Sequence, residues 1–240
     1  MHPRPQFFDC AESALIVDFG VHYDRSLSLM ILGLSEQLIA ARLPGFVESI
    51  PALSSLTIFY DPLELPREQL VLKLEELCES RNLPPASIRK WEIPVAYGGE
   101  AGPDLSDAAS RIGLTEDDVI NLHSGQFYHV YMLGFLPGFA YLGDLPKQLR
   151  LPRRSTPRAR VPQGSVAIAS DMTAVYPLES PGGWHLIGCT PVALWDVGRQ
   201  ETPLFQPGDQ VRFKPVTHAE AQALREQVVA GWQPKPLEVA

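Results

Sequence analysis

GFLPGFAYLGDLP spans Gly134–Pro146 and is followed by LPRRSTPRARVPQGSVAIAS (Leu151–Ser170) and YPLESPGGWHLIGCTP (Tyr176–Pro191). Short apolar runs alternate here with proline and glycine, a pattern that is typical of short strands joined by tight turns. Many short strands at close spacing predict a β-barrel or a β-sandwich for the C-terminal half. The strands that the pattern predicts are Tyr128–Leu133, Ser165–Ala169, Thr173–Tyr176, Trp184–Gly188, Val192–Asp196 and Gln210–Phe213.

Before this region the sequence alternates strand patterns with helix patterns. Apolar residues with helical spacing mark the helices, and β-branched or aromatic runs mark the strands. The predicted order is strand Ser13–Gly20, helix Leu27–Arg42, strands Val47–Ile50 and Ser55–Tyr60, helix Leu65–Arg81 and strand Ile88–Val95. This β-α-β-β-α-β order is the ferredoxin-like arrangement. We therefore predict an α+β protein with two domains, residues 1–90 and residues 91–240, the second also carrying helices Asp104–Ile112, Thr115–Leu122 and Thr217–Val229.

The composition indicates which partners and which cellular location to expect. The formal net charge of -8 argues against nucleic acid or an anionic membrane as a partner. No apolar run of eighteen residues occurs, and the N-terminus lacks the apolar region of a signal peptide. Cys10, Cys78 and Cys189 lie too far apart for a disulfide framework or a metal-ligand spacing. We therefore expect a cytoplasmic protein without a metal site.

A basic segment stands out in this acidic chain. It contains six basic residues and no acidic one: Lys147, Arg150, Arg153, Arg154, Arg158 and Arg160. Guanidinium groups bind carboxylates and phosphates through paired hydrogen bonds. We predict that Arg153, Arg154 and Arg158 bind an anionic substrate. The alternative is that these arginines are solvated or form ion pairs with acidic residues elsewhere in the chain.

Two further motifs flank the basic segment. Ser180, Gly182, Gly183 and Trp184 could form an anion-binding turn, because adjacent glycines let backbone amides approach a ligand. The alternative is an ordinary turn between strands, with the tryptophan in the core. The aromatic residues are predicted to line a groove for a peptide or a planar substrate, and their alternative is also core packing. These groove residues are Phe135, Phe139, Tyr141 and Tyr176.

The sequence offers no clear catalytic residue. His123 follows a predicted helix and is a weak candidate for a general acid or base, with a structural role as the favoured alternative. Its spacing to His129 does not match a metal-ligand pattern. The chain has no GxxxxGK[ST] loop, so a nucleotide would find no phosphate-binding loop of this type here.

Five longer motifs together resemble the KipI / allophanate hydrolase subunit 1 family. They are IPVAYGGEAGPDL (Ile93–Leu105), GFLPGFAYLG (Gly134–Gly143), PRRSTPRARVPQGSVAIA (Pro152–Ala169), YPLESPGGW (Tyr176–Trp184) and PGDQVRF (Pro207–Phe213). The resemblance implies a ferredoxin-like N-terminal domain followed by a cyclophilin-like β-barrel. The chain departs from the family pattern at Ala96, where a cysteine is frequent. It also departs at Cys189, where an arginine is frequent beside the presumed groove.

The resemblance also implies a function within a complex. The 5-oxoprolinase branch of the family works with two further subunits of types A and C, the latter similar to allophanate hydrolase subunit 2. Together they open 5-oxo-L-proline to L-glutamate at the expense of ATP with Mg, and this chain is expected to be inactive alone. Other branches imply two alternatives: a KipI-type inhibitor of a histidine kinase, and a component of the carboxyltransferase or allophanate hydrolase type.

Overall fold

The computed structural model describes residues 4–79, 88–199 and 202–237. The chain divides into two compact units, Met1–Ser87 and Ile88–Ala240. Each unit has its own buried apolar cluster.

The first unit is an antiparallel four-stranded sheet with two helices. Its elements follow the chain as β1 (Gln6–Asp9), β2 (Ala14–Asp18), α1 (Arg25–Ala41), β3 (Phe46–Pro51), β4 (Ser55–Tyr60) and α2 (Arg67–Glu79). The strand order in the sheet is β1-β2-β4-β3. In β4, alternate residues (Leu56, Ile58 and Tyr60) are buried, as expected for a strand with one face on the core. Asp24 caps α1 by accepting a 2.8 Å hydrogen bond from Leu27 N.

The predicted β-α-β-β-α-β order is wrong in its last element. The predicted strand Ile88–Val95 lies within β5 (Lys90–Tyr97), and β5 pairs with strands of the second unit rather than with this sheet. The fourth strand of the sheet is instead β1, which was missed because Gln6–Asp9 is short and half polar. Residues 80 and 81, the end of the predicted helix Leu65–Arg81, lie outside the described residues.

The second unit is built around a closed β-barrel. After β5 it contains α3 (Leu105–Ile112), α4 (Glu116–Ser124), β6 (Tyr128–Leu133), β7 (Ala140–Gly143), β8 (Arg158–Val161), β9 (Ser165–Ala169), β10 (Met172–Val175), β11 (Ser180–Gly182), β12 (His185–Cys189), β13 (Gln210–Pro215) and α5 (His218–Val229). The barrel order is β10-β7-β6-β13-β5-β12-β9, and pairing of β9 with β10 closes it. Strands β8 and β11 form a separate two-stranded ribbon. The sequence left open a barrel or a sandwich, and the structure shows a barrel.

The barrel interior is apolar and explains why most strands were recognisable. Strand β9 is buried along its whole length, and β5 buries four consecutive residues, Ile93–Ala96. One predicted strand is wrong: Val192–Asp196 is irregular, although Val192 and Leu194 are buried. Its apolar residues fill the core from a loop, so hydrophobicity alone could not distinguish it from a strand. Over the described ranges, every helix is too short or too polar to cross a membrane.

Candidate functional site

Five aromatic side chains meet on one side of the barrel unit, and we call them the aromatic cluster: Phe135, Phe139, Tyr141, Tyr176 and Trp184. Phe139 is at its centre and is only 2% exposed. Its ring centroid lies 5.0 Å from that of Tyr141, 5.3 Å from Tyr176 and 5.4 Å from Phe135, each with an edge-to-face orientation. Such pairs are favourable because a positive ring edge meets a negative ring face. The predicted groove residues therefore do come together, but three of the cluster's members are buried.

Backbone hydrogen bonds stabilise the turn that carries Phe135. Gly134 N donates to Phe139 O over 3.1 Å, and Phe139 N donates to Leu136 O over 3.0 Å. Phe135 has a φ of 67° and is 62% exposed. A large aromatic residue in the left-handed region costs on the order of 1 kcal/mol. The turn thus maintains both a strained backbone and an exposed ring, which is a feature of binding sites.

Arg153 is the cation of this region. Its guanidinium carbon lies 6.0 Å from the ring centroid of Trp184, a cation–π contact. Among the described residues, no carboxylate forms an ion pair with Arg153. Burial raises the pKa of Tyr141 and of Tyr176, and the charge of Arg153 opposes the rise in both. The two phenols therefore stay protonated at neutral pH. Tyr176 is buried, so the groups that the region offers to a planar anion are the Arg153 guanidinium, the Tyr141 hydroxyl and the exposed ring of Phe135.

Arg154 and Arg158 are placed differently, because both bind the buried carboxylate of Asp104. Arg158 donates to both carboxylate oxygens over 2.6 and 2.8 Å, Arg154 donates over 2.9 Å, and Leu186 N adds a fourth bond of 2.7 Å. Burial would raise the pKa of Asp104, but the hydrogen bonds from Arg158 and Leu186 N and the charges of both arginines outweigh it and lower the pKa.

The anion-binding prediction is corrected accordingly for these two arginines. Their guanidinium groups fix the segment around Arg154 and strand β8 to Asp104, which is 4% exposed and immediately precedes α3. The alternative of structural ion pairs describes them better than a free anion site. Asp104 itself was missed, because nothing near it in the sequence reveals that strand pairing brings it to residues 50 and 54 positions away.

The glycine motif has a steric role. Neither Gly182 nor Gly183 has a positive φ, so the predicted anion-binding turn does not use the left-handed backbone that glycine allows. A Cβ on Gly182 would lie 2.3 Å from Tyr176 Oη, so only glycine lets β11 pass this hydroxyl. Gly183 O accepts a 2.8 Å hydrogen bond from Arg154 N. Ser180 is buried and its hydroxyl bonds the Pro181 carbonyl over 3.2 Å.

His123 lies inside the core of the barrel unit, where it is completely buried. Thr173 Oγ1 donates to Ala167 O over 3.0 Å and so accepts from His123 Nε2 over 2.8 Å. The proton is therefore on Nε2, and Nδ1 accepts from the Tyr97 hydroxyl over 2.7 Å. The ring also stacks on Phe213 with centroids 4.6 Å apart. The weak prediction of a catalytic role is not supported by this position, because both nitrogens are occupied and the ring does not reach solvent.

Burial gives His123 a consequence for stability against pH. It lowers the pKa of His123 from 6.5 to about 3. The unfolded chain therefore binds a proton below pH 6.5 that the folded chain excludes until about pH 3. As the pH is lowered from 6.5 to about 3, the free energy of unfolding is therefore expected to fall by on the order of 1 kcal/mol per pH unit.

The test compares the wild type with His123→Gln in urea unfolding at several pH values. Gln at this position does not titrate, so the stability difference between the two proteins should shrink as the pH is lowered from 7 towards 4. Loss of the Asp104 contacts at acid pH affects both proteins alike and cancels. A constant difference across that range would show that the imidazole is accessible to protons in the folded state.

The family emerges from comparison with known proteins. A family model described as carboxyltransferase domain, subdomain C and D, matches residues 5–205. This match covers most of the sequence, and the chain belongs to that family. Within the family it is similar to the B subunit of 5-oxoprolinase from Bacillus subtilis, at 38% identity over 95% of this chain and 99% of the relative. Similarity to the B subunit of 5-oxoprolinase from Escherichia coli O157:H7 is 43% identity over 88% of this chain and 96% of the relative.

A solved structure supports the same placement. The crystal structure of TTHA0988 superposes with a TM-score of 0.75 and 41% sequence identity over 85% of this chain. The matched region is only 40% of the TTHA0988 chain. The same fold therefore occurs there as part of a longer polypeptide.

Proposed function

We propose that the protein is the B-type component of an ATP-dependent 5-oxoprolinase complex that opens 5-oxo-L-proline to L-glutamate. The observation that carries this proposal is near-complete alignment, at 38% and 43% identity, with two relatives that are named as the B subunit of 5-oxoprolinase. Both relatives are matched over at least 96% of their length, so the similarity is not confined to one shared motif.

The aromatic cluster and Arg153 suit such a substrate. 5-Oxo-L-proline is a small planar lactam with one carboxylate. Arg153 is a cation over a ring face, and the half-buried Tyr141 keeps a protonated hydroxyl as a further donor. A guanidinium can bind the carboxylate, and an aromatic wall can pack on the ring. Phe135, exposed on its turn, is suitably placed to cover a ligand or to contact a partner.

ATP and Mg are assigned to the complex and not to this chain. In the ranges that the structure describes, no three His, Cys, Asp or Glu side chains converge in a way that could hold a metal ion. The sequence also lacks the GxxxxGK[ST] loop. We propose that ATP and Mg act at a site of the assembled complex, and we derive no step of the reaction through ATP on this chain.

The comparison with a longer solved chain supports a proposal about partner subunits. The likeness to TTHA0988 covers 40% of that longer chain, which is consistent with a fold that works joined to further domains. We propose the A-type and C-type subunits as partners, the latter similar to allophanate hydrolase subunit 2, together with a cytoplasmic location and no activity of the chain alone. The domain division at residues 90 and 91 and a KipI-type contact with a histidine kinase stay predictions.

The fold names belong to the same proposal. The sheet order β1-β2-β4-β3 is what a ferredoxin-like sheet becomes when its last strand is supplied from the N-terminal end of the chain. We accordingly propose a permuted ferredoxin-like first domain. For the closed seven-stranded barrel we propose the cyclophilin-like class that the sequence resemblance implies.

Reconstitution tests the proposed function. The chain is purified with the A-type and C-type partners, and glutamate release from 5-oxo-L-proline is measured with ATP and Mg. The full complex is expected to release glutamate, whereas the chain alone and the mixture without it are expected to release none. A full complex of verified composition that releases no glutamate would contradict the proposal.

The family description favours one second candidate, a carboxyltransferase component. The distinguishing assay supplies the reconstituted complex with a carboxylated biotin carrier protein. Transfer of the carboxyl group to a urea-type acceptor, without glutamate release from 5-oxo-L-proline, would establish this candidate instead.

A further inference from the structure

A cavity of about 460 Å³ lies in the barrel unit between α5 and strands β5, β9 and β12. This volume lies in the range of roughly 300–1,000 Å³ that is typical of small-molecule sites. It shares no lining residue with the aromatic cluster or with Arg153. The residues that matter for its chemistry are Ala96, Glu100, Cys189, His218, Gln222 and Arg225.

Helix α5 forms one wall through its polar side chains. His218, Ala221, Gln222 and Arg225 line the cavity. They are spaced at i, i+3, i+4 and i+7 and so share one helix face. A Thr217–Glu220 capping box fixes the start of the helix, yet none of its residues is buried. A helix that turns a polar face towards a barrel cannot close the space by apolar packing, so the cavity remains.

The opposite wall is preformed by the loop after β5. Gly98 N donates to Ile187 O over 3.1 Å and Asp104 N donates to Leu186 O over 2.9 Å, which ties both ends of the loop to β12. A Cβ on Gly102 would lie 2.0 Å from the Ile187 oxygen, so this close approach requires glycine. The loop that carries Glu100 at the rim is thereby fixed without a ligand.

The lining of the cavity carries two opposite charges, Arg225 and Glu100. Within the described ranges, neither Arg225 nor Glu100 takes part in an ion pair. The charge of Arg225 acts on the Cys189 thiol, which itself donates to Thr190 O over 3.7 Å. Burial raises the pKa of Cys189, against the effect of Arg225, so the thiol stays neutral at pH 7. A guanidinium has five N–H donors, and within the described residues none of those of Arg225 is used in an ion pair.

We propose that this cavity binds a small carboxylic acid that also carries an N–H donor, such as an amino acid or a cyclic amide acid. Arg225 receives the carboxylate, and Glu100 accepts the N–H. Gln222 and His218 supply further polar contacts, while Ala96 and neighbouring prolines supply apolar surface. The site is additional to the aromatic cluster, and its binding requires neither ATP nor a partner protein.

The test measures alkylation of Cys189 in the full chain alone, by mass spectrometry with iodoacetamide. The probes are L-glutamate, 5-oxo-L-proline and 2-pyrrolidone, which lacks the carboxylate. The two acids at millimolar concentration are expected to slow alkylation of Cys189, and 2-pyrrolidone is not. Cys10 is exposed and serves as the internal control, since its alkylation should not change.

Variants assign the effect to named residues. Arg225→Gln is expected to weaken protection by at least about tenfold, as loss of a charge-assisted hydrogen bond does. Glu100→Gln should weaken it less, and Arg150→Gln, an exposed arginine of the basic segment, should leave it unchanged. Arg225 is exposed, so its substitution is not expected to affect folding, which circular dichroism verifies.

Two results would overturn the proposal. One is that neither acid protects Cys189. The other is that protection survives Arg225→Gln but is lost in Arg153→Ala, which would place binding at the aromatic cluster. Both readouts use the isolated chain, so they stay distinct from failure of the reconstituted 5-oxoprolinase assay.

Discussion

Replacing Asp104 with alanine is expected to lower the free energy of unfolding of the barrel unit by about 3–5 kcal/mol, the usual effect of removing one partner of a buried ion pair. The carboxylate binds Arg154, Arg158 and Leu186 N at once. Its loss leaves two guanidinium groups, each less than a third exposed, and one buried amide without their acceptor. The midpoint of thermal unfolding should fall on the order of 10 °C.

Tryptophan fluorescence reports the unfolding of the second unit, which contains Asp104. The four tryptophans all lie in the second unit, at Trp91, Trp184, Trp195 and Trp232. The matched control is Asp107→Ala, at the start of the same helix, where an exposed 3.9 Å pair with Arg111 is worth less than about 1 kcal/mol. Equal stability of the two variants would mean that the Asp104 network does not hold the barrel unit together.

Arg153→Ala is expected to have the opposite profile, a large loss of binding with little loss of stability. In the reconstituted complex the KM for 5-oxo-L-proline should rise about 10- to 100-fold, the effect of losing a charge-assisted hydrogen bond to the substrate carboxylate. Because Arg153 is exposed and has no ion pair among the described residues, the unfolding midpoint should change little.

KM values and a conservative variant distinguish loss of substrate binding from loss of folding. Arg153→Lys keeps the charge and should recover part of the affinity, although it cannot bind a carboxylate with two parallel bonds. Arg150→Ala is the control within the same basic segment. An unchanged KM in Arg153→Ala would show that this cation is not part of the substrate site.

Local patterns were sufficient for most elements of the barrel unit. Proline and glycine mark the ends of its strands, and helix starts such as Thr115 carry a recognisable capping box. The first unit was less predictable, because β1 is short and the assignment of β5 depends on pairing with β13, far along the chain. Alternation within a strand does not reveal which sheet the strand joins.

The sequence indicates which candidate site residues lie together within one motif, and it does not indicate contacts between distant parts of the chain. The grouping of Phe135, Phe139 and Tyr141 follows from one short motif, whereas the contact of Phe139 with Trp184 was not predicted. The pairing of Arg158 with Asp104 and the cavity beside Arg225 depend on contacts across the fold. Cys189 was associated with the aromatic groove, whereas it lines the cavity at α5.

The parallel pairing of β5 with β13 has a consequence for how the protein is made. Lys90 faces Gln210, so the first and last strands of the barrel are joined across 120 residues of chain. On the ribosome, β5 emerges long before β13 has been synthesised, so this edge of β5 stays unpaired until then. Such long-range closure slows folding and leaves an open strand edge exposed in the meantime. The nascent chain is therefore most vulnerable to aggregation before β13 leaves the ribosome.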